Sequence, residues 1–313
     1  MKRGWIIALA AFGAIFLLLL VAVGVGIAAA AGSGIGGGTI AIIHVDGVIS
    51  ESGGGSSLLG GSAGASARSF VLLMHEAETD PSIGAVVVRV DSPGGAVVAS
   101  TEMYRAVRSL DKKKPVVVSM GEEAASGGYY LSAGARAIVA NPSTTTGSIG
   151  VILHLMYLQG LYDKIGVKEE VIKSGAHKDI GGRPLTADER QILQNLIDDA
   201  FGHFVDVVAE GRHMTRADVL KLADGSVFSG DRALANGLVD KLGDLPEAEA
   251  LAAADANIKG TPRVIVLSAQ TGLLGAIQQR LLVDPTQVQL TLPQLGTSGP
   301  GYRLEYLALP PGD

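Results

Sequence analysis

The sequence predicts an α/β protein, a largely parallel sheet covered by helices, with one long apolar helix ahead of it. Three patterns carry this reading. From residue 39 onward, short apolar runs alternate with stretches of helical periodicity, the order that builds parallel sheets through helical crossovers. The runs at 84–90 (GAVVVRV) and 115–120 (PVVVSM) are almost continuously apolar, as strands covered on both faces must be. Residues 4–31 are 28 positions without a charge, and ~20 apolar residues suffice to cross a bilayer.

The N-terminal run comes first along the chain. Lys2 and Arg3 precede it, and the next charge is Asp46. Basic flanks stay on the cytoplasmic side, so the N-terminus is expected inside and the body outside. Trp5 sits where an interfacial aromatic anchors such a helix. A cleaved signal peptide is the alternative, with 28–31 (AAAA) as a small-residue cleavage region. Its apolar part is normally only ~7–15 residues, so the length favours an anchor. Residues 32–38 (GSGIGGG) read as a tether. Their G-x-G-x-x-G match at Gly32, Gly34 and Gly37 lacks the preceding strand that a dinucleotide site needs.

The body follows. Residues 39–45 (TIAIIHV) read as a buried strand. The low-complexity stretch 51–67 reads as a loop. Its G-x-S-x-G match around Ser62 lacks the strand and helix that make a nucleophile elbow. Helices are expected at 68–78, 96–110 and 127–135, and strands at 84–90, 115–120 and 136–140. A long amphipathic helix is expected from 186 to about 211, with Asp188 and Glu189 in its first turn, where the helix dipole favours acids. Leu193, Leu196, Ala200, Phe204, Val207 and Val208 carry its apolar stripe. Shorter helices follow at 216–222, 231–236 and 246–254, then a strand at 263–268 and a tail rich in Pro, Gly and Leu. The expected division is an anchor at 4–31, a tether at 32–38, a catalytic body at 39–257, and a C-terminal strand, helix and tail at 258–313.

Composition narrows the chemistry. The chain has 313 residues and no Cys, which excludes a thiolate nucleophile, a disulfide scaffold and Cys-based metal sites. Its net charge of −6 argues against a nucleic-acid binder built on a basic patch. The six His show no ligand spacing, so no metal and no cofactor is expected.

Three clusters carry chemistry. Asp91, Ser92, Pro93, Gly94 and Gly95 follow a strand directly. Two glycines there let backbone N–H groups turn outward, the requirement of an oxyanion hole. Ser126 lies between Ala124, Ala125 and Gly127, Gly128, just after another strand. Such small neighbours let a substrate approach its Oγ, and the following helix N-terminus favours developing negative charge. A plain Ser N-cap is the competing reading. The third cluster runs from Lys173 to Asp179 and holds adjacent His177 and Lys178. Either could serve a Ser nucleophile as base. A Lys base must be largely neutral, and a His base usually needs an orienting carboxylate, for which Asp179 is two positions away. Spacing does not choose between them.

The strings RVDSPGG, MGEEAASGGYYLSAGA, ANPSTTTGSIGV, KSGAHKD and VFSGDRALANGLVDKLG, in order and correctly spaced, together resemble the signal peptide peptidase A family. These are membrane-bound serine peptidases of the Clp-protease/crotonase superfamily, a fold of stacked βαβ units. The resemblance implies a Ser/Lys dyad with Ser126 as nucleophile and Lys178 as general base. It implies that Ser148 positions the Lys, and that the N–H groups of Gly95 and Gly127 form the oxyanion hole. His177 then becomes a bystander. It further implies a ring-shaped homo-oligomer in which Ser and Lys meet across a subunit boundary. One segment departs from the family pattern: a Ser-Pro-x-Arg-type stretch usually follows KD, and here it is Ile180, Gly181, Gly182, Arg183 and Pro184.

The expectation is therefore a membrane-anchored serine endopeptidase. It would cleave apolar peptides such as remnant signal peptides at the extracytoplasmic face and contact lipid through 4–31. Two alternatives are a related membrane peptidase paired with stomatin-like proteins, and a crotonase-like hydratase or isomerase acting on acyl-CoA.

Overall fold

The computed structural model describes residues 38–53 and 64–268, and the backbone of 305–307. The anchor expected at 4–31, residues 32–37 of the tether expected at 32–38, Ser62, and, but for the backbone of 305–307, the helix and tail expected after the late strand lie outside the described residues. Among those described, no helix is long and apolar enough to cross a membrane.

The element order is β1 (Thr39–Asp46), α1 (Ala67–Thr79), β2 (Ile83–Ser92), β3 (Gly94–Ala96), α2 (Val97–Asp111), β4 (Val116–Ala125), α3 (Gly127–Ser132), β5 (Ala137–Ala140), β6 (Thr145–Gly147) and α4 (Gln159–Ile165). It continues with α5 (Ala187–Gly211), α6 (Arg216–Leu220), β7 (Val227–Ser229), α7 (Gly230–Ala235), β8 (Lys241–Leu242), α8 (Leu245–Asp255), β9 (Arg263–Leu267) and β10 (Glu305–Leu307). Eight strands form one sheet along the path β7-β6-β4-β2-β1-β9, with β5 beside β4 and β8 beside β5. Within this sheet every pairing is parallel except β6 with β7, and β10 pairs antiparallel with β3 in a separate two-stranded sheet. The mixed α/β sheet agrees with the expected class. The sheet also runs on past residue 257, because β9 pairs in parallel with β1.

Alternation along each strand explains why the runs are apolar throughout. Ile43, Val86, Val88 and Val118 face one layer, with Phe70 of α1, Met103 of α2 and Phe204 of α5. Ile42, Val87 and Val117 face the other, against Ala248 and Ala252 of α8. Each such buried aliphatic side chain contributes ~1.5–3 kcal/mol over leaving it exposed. A charge at Val87 or Val88, both fully buried, would strike one of the two layers.

Several boundaries differ from the sequence expectation. β4 runs on to Ala125 rather than stopping at 120, because its second half pairs with β6. α3 ends at Ser132 rather than 135. β6, β7 and β8 span two or three residues each, too few for a periodicity to show. α4 falls in a stretch to which the sequence assigned no element, and none of its residues is buried.

Candidate active site

Strands β2, β4 and β6 end side by side. Ser92 pairs with Ala124, and Ala125 with Gly147. Each strand thus delivers one sequence cluster to the same carboxyl edge: the 92–95 turn, Ser126 and Ser148. Carboxyl edges of parallel sheets are where such folds place their ligands.

Ser126 sits at φ 52°, ψ −114° between β4 and α3. A non-glycine residue held in a sparsely populated region costs ~1–3 kcal/mol, and such strain gathers at functional sites. Two backbone bonds hold it there. The Ser126 N–H donates to Gly147 O at 2.8 Å, and the Tyr130 N–H donates to Ser126 O at 2.8 Å. The residue is buried and stands at the N-cap position, yet its side chain makes no capping bond. The plain N-cap reading, which needs Oγ to accept from the first turn of α3, is therefore not met.

Ser148 follows β6 as Ser126 follows β4. It too has a positive φ, 49°, and is buried. Its N–H donates to Ser226 O at 2.8 Å. Thr146 Oγ1 donates to Ala124 O at 2.7 Å, and Thr144 Oγ1 to Gly121 O at 2.7 Å, which holds the two strand ends in register. A cleft of about 550 Å³ opens beside Ser148 and runs along α5, lined by Ile152, Gln194, Phe201, Asp224 and Val227.

Close approach explains the two glycines. A Cβ on Gly95 would fall 2.0 Å from Ile49 O, and one on Gly127 would fall 2.5 Å from Ser100 Oγ and 3.1 Å from Gly95 N. The backbones of Gly95 and Gly127 therefore meet beside Ser126. Ser92 braces the turn: its Oγ donates to Gly47 O at 2.6 Å and accepts from the Gly94 N–H at 3.1 Å.

The edge that Gly95 presents follows from its neighbours. The Ile49 N–H donates to Gly94 O at 2.8 Å, and the Ala96 N–H donates to Ile49 O at 2.9 Å. Backbone groups alternate along a strand, so Gly95 points its N–H and C=O to the opposite edge. There β10 lies antiparallel to β3, with Tyr306 opposite Gly95.

Ser100 is a residue the sequence reading did not single out. It is fully buried on α2, and its Oγ has no hydrogen-bond partner among the described residues. A serine on an apolar helix face carries no sequence signal of its own. Gly127 shows its place only in three dimensions.

Lys178 lies on an exposed loop, and among the described residues its amine joins neither Ser126 nor any carboxylate. The structure brings Ser126, Ser148, Gly95 and Gly127 together, and no hydrogen bond joins the Lys178 amine to them among the described residues. The carboxylate beside His177 is not Asp179 but Glu189: His177 Nδ1 lies 3.6 Å from Glu189 Oε1. Glu189 is buried, and Arg183 grips it with Nη1–Oε2 at 2.8 Å and Nη2–Oε1 at 2.7 Å. The Arg183 hydrogen bonds and the Thr186 backbone N–H hold the Glu189 carboxyl down at about 2. Hydrogen bonds from Lys173, then Arg183, lower the Asp179 carboxyl. Among the described residues, no group of three or more His, Asp or Glu could hold a metal ion.

Residues 108–259 match the family described as Peptidase family S49. The chain is 45% identical over 195 residues to a putative protease of Synechocystis, an alignment covering 62% of this chain and 70% of that protein. It is 37% identical over 208 residues to a putative signal peptide peptidase of Enterococcus faecium, covering 65% of this chain and 60% of the relative. It is 40% identical over 226 residues to Protease 4 of Salmonella typhi, covering 71% of this chain but 35% of that longer protein. These relatives are named as peptidases, and the acyl-CoA alternative is set aside. With the glycine-built turn, the strained serine and these matches in agreement, the chain belongs to peptidase family S49 and is a serine peptidase.

Proposed function

We propose that Ser126 is the nucleophile and Lys178 the general base of an endopeptidase acting on extended, apolar peptides. Neutral Lys178 takes the proton of Ser126 Oγ as Oγ attacks the scissile carbonyl. The oxyanion rests on the N–H groups of Gly95 and Gly127. Lys178 then protonates the leaving amine and activates the water that releases the acyl group. Ser148 holds the Lys178 amine in place.

One observation carries this reading. Ser126 is held at φ 52°, its side chain committed to no cap, where Gly127 and Gly95 converge. The antiparallel seat of β10 on β3 supports a substrate that adds as a strand beside Gly95.

The lack of any hydrogen bond between Lys178 and Ser126 among the described residues supports a dyad completed between subunits of a ring-shaped homo-oligomer. Met156, Leu161, Ile165 and Ile172, all exposed, support a second copy covering α4 and its flanking segments, since exposed apolar patches mark interaction surfaces. The apolar run at 4–31 supports a membrane anchor that keeps the body on the extracytoplasmic side, close to cleaved signal peptides.

The test is covalent labelling with a fluorophosphonate probe, followed by peptide mapping, beside the activities of Ser126→Ala, Lys178→Ala and His177→Ala. Label on Ser126, with Ser126→Ala and Lys178→Ala inactive and His177→Ala active, is expected. Label elsewhere, or an active Ser126→Ala, discards the nucleophile. An active Lys178→Ala beside an inactive His177→Ala moves the base to His177, for which the contact with Glu189 is the supporting observation.

A further inference from the structure

The loop that carries Lys178 has no regular secondary structure, and it includes Gly181 and Gly182. A base on such a loop needs something rigid to fix it. The rigid element is the N-terminus of α5. Thr186 and Glu189 form a capping box there: the Thr186 N–H donates to Glu189 Oε2 at 2.9 Å, and the Glu189 N–H donates to Thr186 Oγ1 at 3.3 Å. Arg183 binds the same carboxylate through two nitrogens. Its guanidinium then reaches back to Asp179, with Nε–Oδ2 at 3.1 Å and Nη2–Oδ1 at 3.2 Å. Lys173 closes the chain. Its Nζ donates to Asp179 Oδ1 at 2.6 Å and to Ala176 O at 2.9 Å.

Lys178 sits inside this chain of contacts without joining it. Asp179 is its neighbour in sequence, yet both Asp179 oxygens are taken by Arg183 and Lys173. Besides Lys178, the charged or titratable groups of the loop and of the adjoining helix end are Lys168, Glu169, Glu170, Lys173, His177, Asp179, Arg183, Asp188, Glu189 and Arg190. A free carboxylate beside a lysine favours the ammonium form, which cannot accept a proton. Two oppositely charged pairs in series offer both a tether and an occupied acid.

We propose that Arg183 and Glu189 are positioning residues for Lys178: they tie its loop to α5 and, with Lys173, keep Asp179 engaged so that no carboxylate pairs with the Lys178 amine. This rests on the reading of Lys178 as the base. The unusual Ile180–Pro184 stretch is then no loss of order, because Arg183 supplies the tie that its two glycines remove.

The test measures kcat, KM and the pH dependence of kcat/KM on an extended peptide, with thermal melts, for the full chain. Arg183→Gln is expected to lower kcat about ten- to hundredfold with KM within about twofold, the scale of an ångström of misplacement. It should also move the acid limb of the profile to higher pH by about half a unit, the scale of a part-exposed ion pair. Adding Asp179→Asn to Arg183→Gln should return the limb to its original pH while Tm stays low, a recovery that a purely structural role does not predict. Lys173→Met, which leaves the half-buried Arg183–Glu189 pair intact, should move the limb in the same direction by less, and it serves should Arg183→Gln fail to fold. Arg216→Ala, which breaks the surface pair with Asp206, should change neither kcat nor the limb. An unmoved limb in both Arg183→Gln and Lys173→Met, with Lys178→Ala inactive, overturns the positioning role alone. Full activity in Lys178→Ala overturns the base reading and this proposal with it.

Discussion

A side-chain carbon on Gly127 would fall 2.5 Å from Ser100 Oγ, so helix α2 presses its one buried hydroxyl without a partner among the described residues against the turn that follows Ser126. The same carbon would stand 3.1 Å from Gly95 N. Gly127→Ala should therefore abolish peptide cleavage. Adding Ser100→Gly should recover thermal stability but not activity, because the crowding of Gly95 N remains. Recovery of both would show that Ser100 was the whole obstacle, and paired melts and rate assays read the difference.

Ser100 also predicts a stability effect of its own. A buried hydroxyl without a partner carries an uncompensated desolvation cost of ~1–3 kcal/mol. Ser100→Ala keeps the Cβ and removes that cost, so denaturant midpoints should rise. A fall would reveal a partner bound to the hydroxyl.

Acid should loosen the loop of Lys178. The Glu189 carboxyl is held at about 2 in the folded chain against an ordinary 4.5. Its stabilisation is thus complete above pH 4.5 and is lost as pH falls from there toward 2. Glu189→Gln should melt lower than the parent at neutral pH, with the gap closing across that window. A gap constant with pH would argue against the Arg183 contact as its source.

Tyr129, in the first turn of α3, is fully buried, and its hydroxyl donates to Leu238 O at 2.9 Å. Burial pushes its phenol well above the usual range, so the bond persists through alkaline assay conditions. Tyr129→Phe leaves that carbonyl unpaired and should cost about 1–3 kcal/mol in urea unfolding.

Deleting residues 305–313 tests the seat on β3. If substrate adds as a strand beside Gly95, β10 occupies the same edge, and its removal should lower KM for extended peptides. An unchanged KM would place the substrate strand elsewhere.

Local composition was enough for the alternating α/β body and the small residues around Ser126 and Gly95, because continuous apolar strands and missing Cβ atoms leave marks in it. The start of the long helix near residue 186, with Asp188 and Glu189 in its first turn, was legible in the same way, whereas the capping box of Thr186 and Glu189 was shown by the structure. Strands β6 to β8 were not, since two or three residues show no period. Only the tertiary structure set Ser148 beside Ser126, through the pairing of Gly147 with Ala125. It also placed Ser100 under Gly127 and engaged Asp179 with Arg183 and Lys173 rather than with Lys178. Those relations depend on which strand lies next to which and on which partner reaches a carboxylate first, and no local pattern of residues encodes either.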